Sequence, residues 1–134
     1  MGAGTTEQKK ILVVEDDPWT RTTEVALLVG EGYAVIEART GEEALRLARE
    51  HRPEVVLLDL ALPTQSGLEV LRELKKDART RDIRVLVVSA YGDMLPPVDL
   101  RRADGVVSKP FDYDALLAGV EGRSADKTAR ARPG

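Results

Sequence analysis

The chain alternates short apolar runs with longer segments in which apolar residues recur every three or four positions. The apolar runs are rich in Val, Ile and Leu, and three of them are almost unbroken, as is typical of parallel strands covered on both faces. This pattern predicts strands at Ile11–Val14, Ala34–Ala38, Val55–Leu60, Val85–Ala90 and Gly105–Ser108. Strands that alternate with helices in this way predict an α/β fold, a doubly wound five-stranded parallel sheet with right-handed crossovers.

Capping residues mark the starts of several predicted helices. Thr40 and Ser66 each stand three residues before a glutamate, which is the spacing of a capping box, and they begin helices predicted over 41–51 and 67–77. Asp112 can cap a last helix in the same way.

The first predicted helix, residues 18–29, begins with a proline. Pro18 is favoured in a first helical turn, and Asp17 before it is interpreted as a turn or cap residue. The helical periodicity predicts that one face is buried, formed by Thr22, Val25, Ala26 and Val29.

The fourth connection, Tyr91–Asp104, departs from this regularity because it contains Pro96 and Pro97. Proline inside a helix costs about 3 kcal/mol or more, so no ordinary helix can run through this pair. The segment is therefore either a loop followed by a short helix that starts at Pro97, or largely irregular. Packing must hold such a short helix, through either Val98 and Leu100 or Met94 and Leu95.

Composition agrees with one domain of ordinary size. The 134 residues are 43% hydrophobic and 32% charged, with a formal charge of −3 and no cysteine. These values give no global field for nucleic acid or a membrane surface and exclude disulfides and thiolate metal sites. The apolar runs are too short to span a membrane, and the start lacks an apolar signal core, so we expect a cytoplasmic protein. The ends, 1–9 and 122–134, are expected to be disordered tails around a domain over 10–121.

Polar residues follow the predicted strands at their carboxyl ends, where sheets of this kind bind ligands. Glu15 and Asp16 follow the first strand, Asp59 ends the third, Ser89 the fourth, and Lys109 follows the fifth. Carboxylates held close together require a proton, a lysine or a hard cation, and Mg²⁺ suits an oxygen-only site. An aspartate nucleophile beside a metal, a lysine and a hydroxyl describes a phosphoryl acceptor.

Four motifs, "ILVVEDDP", "VVLLDLALPTQSG", "VLVVSA" and "VVSKPF", occur in order with family-like spacing. From about Lys10 to Glu121, the chain resembles the receiver domain of bacterial two-component response regulators. The resemblance implies a flavodoxin-like strand order 2-1-3-4-5, with an atypical short or irregular fourth helix. It also implies that Asp59 takes a phosphoryl group from a sensor histidine kinase or a histidine phosphotransfer protein.

The resemblance assigns roles to the residues at the strand ends. Asp16 would bind Mg²⁺ directly and Glu15 through water, so that the implied metal site comprises Glu15, Asp16, Asp59 and the backbone carbonyl of Ala61. Ser89 and Lys109 would contact the phosphoryl group. The implied partners are the phosphodonor and an unknown downstream protein, with no direct contact to nucleic acid or membrane, and homodimerisation is left open. The chain would be a phosphoryl acceptor with slow autodephosphorylation at most, and not an enzyme.

One position departs from the family pattern and keeps alternatives open. Val106 replaces an aromatic residue three positions before the lysine, so the usual aromatic relay is in doubt. One alternative is a receiver-like module that is never phosphorylated and binds its partner constitutively. Another is a phosphohydrolase with an aspartate nucleophile, but such enzymes usually carry Asp-x-Asp after the first strand, which this chain lacks.

Overall fold

The computed structural model describes residues 8–62, 65–89, 96–109 and 113–122. Its sheet is parallel throughout, with the strand order β2-β1-β3-β4-β5. The strands are β1 Lys10–Val14, β2 Ala34–Ala38, β3 Val55–Asp59, β4 Arg84–Ser89 and β5 Gly105–Ser108. The helices are α1 Pro18–Gly30, α2 Gly41–His51, α3 Gly67–Lys76, α4 Pro97–Arg102 and α5 Tyr113–Glu121. The predicted fold class and strand order are confirmed, and the observed strand bounds differ from the predicted ones by at most one residue where both are described.

The sheet is covered on both faces, and alternate residues of each strand contribute to opposite layers of the core. In β1, Ile11 and Val13 pack with Leu28 of α1 and Leu116 of α5. Leu12 and Val14 pack on the other side, against a cluster with α2 and α3 that includes Ala44, Ala48, Val70, Leu71 and Leu74. The continuous apolar run of β1 therefore reflects its central place between the two layers.

Side-chain caps begin the first three helices at the predicted residues. In each case the side chain accepts a hydrogen bond from the backbone N–H three residues later. The pairs are Asp17 with Thr20 at 2.8 Å, Thr40 with Glu43 at 3.1 Å, and Ser66 with Glu69 at 3.2 Å. The predicted cap at Asp112 lies outside the described residues.

The prediction for the buried face of α1 is wrong. Thr22, Ala26 and Val29 are exposed, and only Val25 is partly buried. The residues that face the core are instead Arg21, Glu24 and Leu28. Two of these are charged, and because the periodicity counted only apolar residues, it placed the buried face one residue, or about 100°, away from the observed one.

The fourth connection contains a short helix, α4, that begins at Pro97 as one of the two alternatives predicted. The expectation that Val98 and Leu100 hold it by packing is wrong, because they are 46% and 43% exposed. Met94 and Leu95 lie outside the described residues. The buried residue of α4 is Asp99, which is 0% exposed.

The part of the chain that the structure describes contains no helix that is long and apolar enough to cross a membrane. Residues 1–7 and 123–134 are outside that part, so the boundaries of the two tails stay predictions.

Candidate functional site

The carboxyl ends of β1 and β3 bring three acidic residues together. The two strands pair in parallel, with Val14 beside Leu58, so the residues that follow each strand emerge at the same edge of the sheet. One carboxylate oxygen from each of Glu15, Asp16 and Asp59 lies within 4.8 Å of the others. Glu15 and Asp59 are 1% and 4% exposed, whereas Asp16 is open to solvent.

Lys109, which directly follows β5, reaches this cluster from the other side. Its Nζ donates to Glu15 Oε1 and to Asp59 Oδ2, both at 3.1 Å. One ammonium group therefore bridges two buried carboxylates. The three carboxylates still outnumber this cation, and the excess negative charge favours a bound hard cation.

The protonation equilibria reflect the crowding of these charges. The pKa of Glu15 is raised to about 7, first by burial and then by its hydrogen bond and repulsion with Asp59, while Lys109 opposes the shift. Burial alone would lower the pKa of Lys109, but hydrogen bonds to Asp59 and Glu15 outweigh it and raise that pKa. Lys109 therefore stays cationic at neutral pH, where Glu15 is partly protonated.

The backbone around Asp59 fixes the orientation of its carboxylate. The N–H of Ala61 donates to Asp59 Oδ1 at 3.0 Å, so the oxygen that does not contact Lys109 is also held. Gly67, the first residue of α3, packs directly on the end of β3. A Cβ at this glycine would lie 2.4 Å from the Asp59 carbonyl oxygen, which is closer than any side chain allows.

Arg21 supports the site, although the sequence analysis did not identify it. It is 8% exposed, and its Nη1 donates to the backbone carbonyls of Glu15 at 2.8 Å and Asp16 at 3.4 Å. Its Nε pairs with Glu37 on β2 at 3.2 Å. The only sequence signal was an arginine six residues after Glu15. Recognising its role required knowing which face of α1 is buried, and the hydrophobic periodicity predicted the wrong face.

Glu24 is a second charged residue near the site that the sequence analysis missed. It is 2% exposed on the inner face of α1. Burial raises its pKa to about 8, and repulsion from Glu15 and Asp59 adds to the shift, which Lys109 opposes. Glu24 is therefore largely protonated at neutral pH and adds little to the charge of the cluster.

The structure brings together four of the residues selected from the sequence: Glu15, Asp16, Asp59 and Lys109. Ser89 ends β4, and its backbone pairs in register with Ser108, the residue before Lys109. The roles of the Ser89 hydroxyl and the Ala61 carbonyl stay predictions. Val106 is partly buried against the core layer that contains α2 and α3.

Comparison with known proteins agrees with this geometry. The family model of the response regulator receiver domain matches residues 11–121. The polar-differentiation response regulator DivK of Brucella anthropi is 35% identical over 120 residues, which cover 88% of this chain and 98% of DivK. DivK of Brucella ovis is 34% identical over the same shares of both chains.

Solved structures show the same fold. A response regulator from Chloroflexus aurantiacus is 26% identical, covers 86% of this chain and 96% of its own, and superposes with a TM-score of 0.79. The receiver domain of a sensor histidine kinase from Pseudomonas aeruginosa is 27% identical, with coverages of 83% and 93% and a TM-score of 0.75. That structure contains a magnesium ion coordinated in the active-site cleft. The match of the family model over most of the chain, on a site with this arrangement of acids and lysine, shows that the chain belongs to the receiver domains of two-component response regulators.

Proposed function

We propose that this receiver domain accepts a phosphoryl group on Asp59 with the help of Mg²⁺ and passes the signal on by protein–protein contact. The donor is a phosphohistidine of a sensor histidine kinase or of a histidine phosphotransfer protein. The observation that carries the proposal is the bridge from Lys109 to both Asp59 and Glu15 inside a cluster of three carboxylates. Membership of the family supports the same assignment.

The arrangement around Asp59 suits an attacking carboxylate. Ala61 N–H and Lys109 Nζ each hold one of its oxygens, so the group is oriented before the donor arrives. In the transfer, a carboxylate oxygen forms a bond to phosphorus and the bond from phosphorus to the donor imidazole nitrogen breaks. The imidazole keeps the electron pair and takes up a proton, so the donor leaves as neutral histidine. Lys109 and the hydroxyl of Ser89 are proposed to contact the phosphoryl oxygens.

The donor set fits Mg²⁺, which prefers oxygen ligands and few protein side chains. Glu15, Asp16 and Asp59 would hold the ion, together with the backbone carbonyl of Ala61. When bound, Mg²⁺ would neutralise charge on the carboxylates and on the phosphoryl oxygens. Arg21 keeps the backbone of the acidic pair in place through its hydrogen bonds to the Glu15 and Asp16 carbonyls.

The signal would leave through the side of the domain that contains α4, β5 and α5. Val98 and Leu100 of α4 are exposed there and are available to a protein partner. Val106 cannot act as a rotating aromatic, so the proposed output does not depend on one. A receiver that is never phosphorylated and binds its partner constitutively remains the second candidate, and the observation that favours it is the same valine.

Incubation with Mg²⁺ and acetyl phosphate, followed by intact-mass analysis, tests the proposal. We expect one phosphoryl group in an acid-stable, base-labile acyl phosphate. Asp59→Asn must abolish it, whereas Asp82→Asn, an exposed aspartate outside the cluster, must keep it. No modification by acetyl phosphate or by any kinase would favour the constitutive binder, and rapid catalytic turnover of the donor would favour a phosphohydrolase.

A further inference from the structure

A basic groove of about 320 Å³ lies between α3 and α4. Within the described part of the chain, the side chains that line it are Arg72, Lys75, Lys76 and Arg102. Lys75 also donates to the carbonyl of Ile83, just before β4 begins, so the groove lies toward the amino ends of the strands. The acceptor site is at the carboxyl ends, and the two sites are therefore at opposite ends of α3.

Two of the cations in this groove are held in place by one buried carboxylate. Asp99 accepts hydrogen bonds from Arg72 Nε and Nη2, both at 2.9 Å, and from Arg102 Nη1 at 3.1 Å. The Arg72 and Arg102 side chains are nonetheless 44% and 43% exposed. A guanidinium has five N–H donors, so most donors of this pair are not used on Asp99 and remain available. A ligand would find both groups already oriented and would lose little of their rotamer freedom on binding.

The two lysines contribute differently. Lys76 is 75% exposed and its nearest carboxylate, that of Glu73, is 3.8 Å away, so this exposed pair is weak. Lys75 is already committed to Asp104 at 2.8 Å and to backbone carbonyls. The centre of positive charge in the groove is therefore formed by Arg72, Lys76 and Arg102.

We infer that this groove binds a small molecule with adjacent phosphate groups, of the diphosphate class. Paired guanidiniums match phosphate oxygens in two-pronged hydrogen bonds, and a nearby ammonium adds a point charge. The volume is at the low end of the range for small-molecule sites, which fits a compact anion. The described side chains that line it are all cationic, which favours an anionic ligand. Arg101 is next in the sequence but does not line the groove, so the feature depends on the contact between α3 and α4 and not on the basic run alone.

The binding test uses the whole chain in EDTA at low salt, so that metal-dependent binding at Asp59 does not contribute. Pyrophosphate and inorganic phosphate are titrated while the Nε–Hε signals of Arg72 and Arg102 are followed by ¹⁵N NMR. We expect both signals to shift and saturate, with pyrophosphate binding more tightly than phosphate. Asp59→Asn must leave this affinity unchanged, which separates the groove from the acceptor site.

Matched variants locate the binding. Lys76→Gln and Arg102→Gln should each weaken pyrophosphate binding about 10-fold, the effect of losing one charge-assisted contact. Arg101→Gln, on the same helix, should change it less than about 2-fold. Because Lys76 is exposed on the surface, its variant keeps the test independent of any effect on folding.

Several results would overturn the inference. One is that the Nε–Hε signals of Arg72 and Arg102 shift without saturating, or that the other arginines shift as much. Another is that Arg101→Gln and Arg102→Gln lose the same affinity for pyrophosphate. Binding to phosphatidic acid vesicles without binding to free pyrophosphate would likewise show that the groove does not take a small molecule.

Discussion

The guanidinium of Arg72 on α3 faces the carboxylate of Asp99 on α4, and both of their N–O distances are 2.9 Å. Helix α4 has six residues, too few to be stable alone, and its larger apolar side chains are exposed. Among the described residues, this ion pair is therefore the side-chain contact that ties α4 to α3, and Arg102, on α4 itself, adds an i,i+3 contact to the same carboxylate.

Asp99→Asn should destabilise the domain, because it leaves Arg72 and Arg102 without their buried counter-charge. The guanidinium of Arg72 lowers the pKa of Asp99, which therefore stays charged across the neutral range. We expect the midpoint of thermal unfolding to fall by more than about 5 °C. Arg102→Gln, which keeps the Arg72 contact, should cause a smaller fall, and an equal or larger fall would contradict the leading role of Arg72.

Glu24→Gln should stabilise the domain at alkaline pH. The pKa of Glu24 is about 8 in the folded chain and near its ordinary value of 4.5 in the unfolded chain, so folding favours the protonated form. Stability is therefore lost as the pH rises from about 4.5 to about 8, and the whole loss is of the order of 5 kcal/mol. Urea unfolding of the wild type and of Glu24→Gln at pH 5.5 and 8.5 measures this change in the free energy of unfolding, which should be smaller in the variant. Glu42→Gln, at an exposed site, should keep the wild-type pH dependence.

Asp59→Asn should stabilise the metal-free protein by about 1 kcal/mol, because it removes one of three crowded carboxylates and leaves Lys109 paired with Glu15. Repulsion and hydrogen bonding from Asp59 contribute to the raised pKa of Glu15, and this part of the shift should disappear. Unfolding in EDTA gives the free-energy difference, with Asp82→Asn as the control. A less stable Asp59→Asn protein would mean that the ion pair with Lys109 outweighs the repulsion.

Trp19→Ala should separate partner docking from chemistry. Trp19 is 82% exposed in the first turn of α1, three residues after Asp16, and large exposed aromatics beside a reactive centre often contact partners. Phosphorylation by acetyl phosphate should stay within about 2-fold of the wild type, whereas transfer from a protein donor should slow about 10-fold.

The donor for this comparison is the kinase or phosphotransfer protein that labels the wild-type chain fastest in a phosphotransfer screen. Val29→Ala is the matched control, since Val29 is 55% exposed near the other end of the same helix. Equal slowing with acetyl phosphate and with the protein donor would place the effect of Trp19 in the chemistry and not in docking.

The sequence predicted those parts of the structure that depend on local or periodic signals. The apolar runs marked all five strands, and Thr40 and Ser66 marked helix starts because a cap requires a short-range hydrogen bond. The placement of Glu15, Asp59 and Lys109 at one edge followed from the prediction of parallel strands, since the carboxyl ends of parallel strands lie on the same side of the sheet.

Long-range polar contacts could not be predicted in this way. Arg21 and Glu24 are charged and yet buried, so a periodicity that counts only apolar residues placed the buried face of α1 about 100° away from the observed one. Asp99 fixes α4 through Arg72, which is 27 residues earlier in the chain, and no local pattern connects the two. Such pairs become visible only when the packing of two helices is known.

Helix α3 begins where Gly67 touches the Asp59 backbone and ends at Lys76 in the basic groove. It spans about 15 Å as a single stiff element, so a small shift of the strand end moves the cations at its far end along the helix axis. A displacement of α3 on binding at either end would link the two sites thermodynamically. A diphosphate that shifts α3 changes the free energy of phosphorylating Asp59, and phosphorylation changes the affinity for that diphosphate by the same factor.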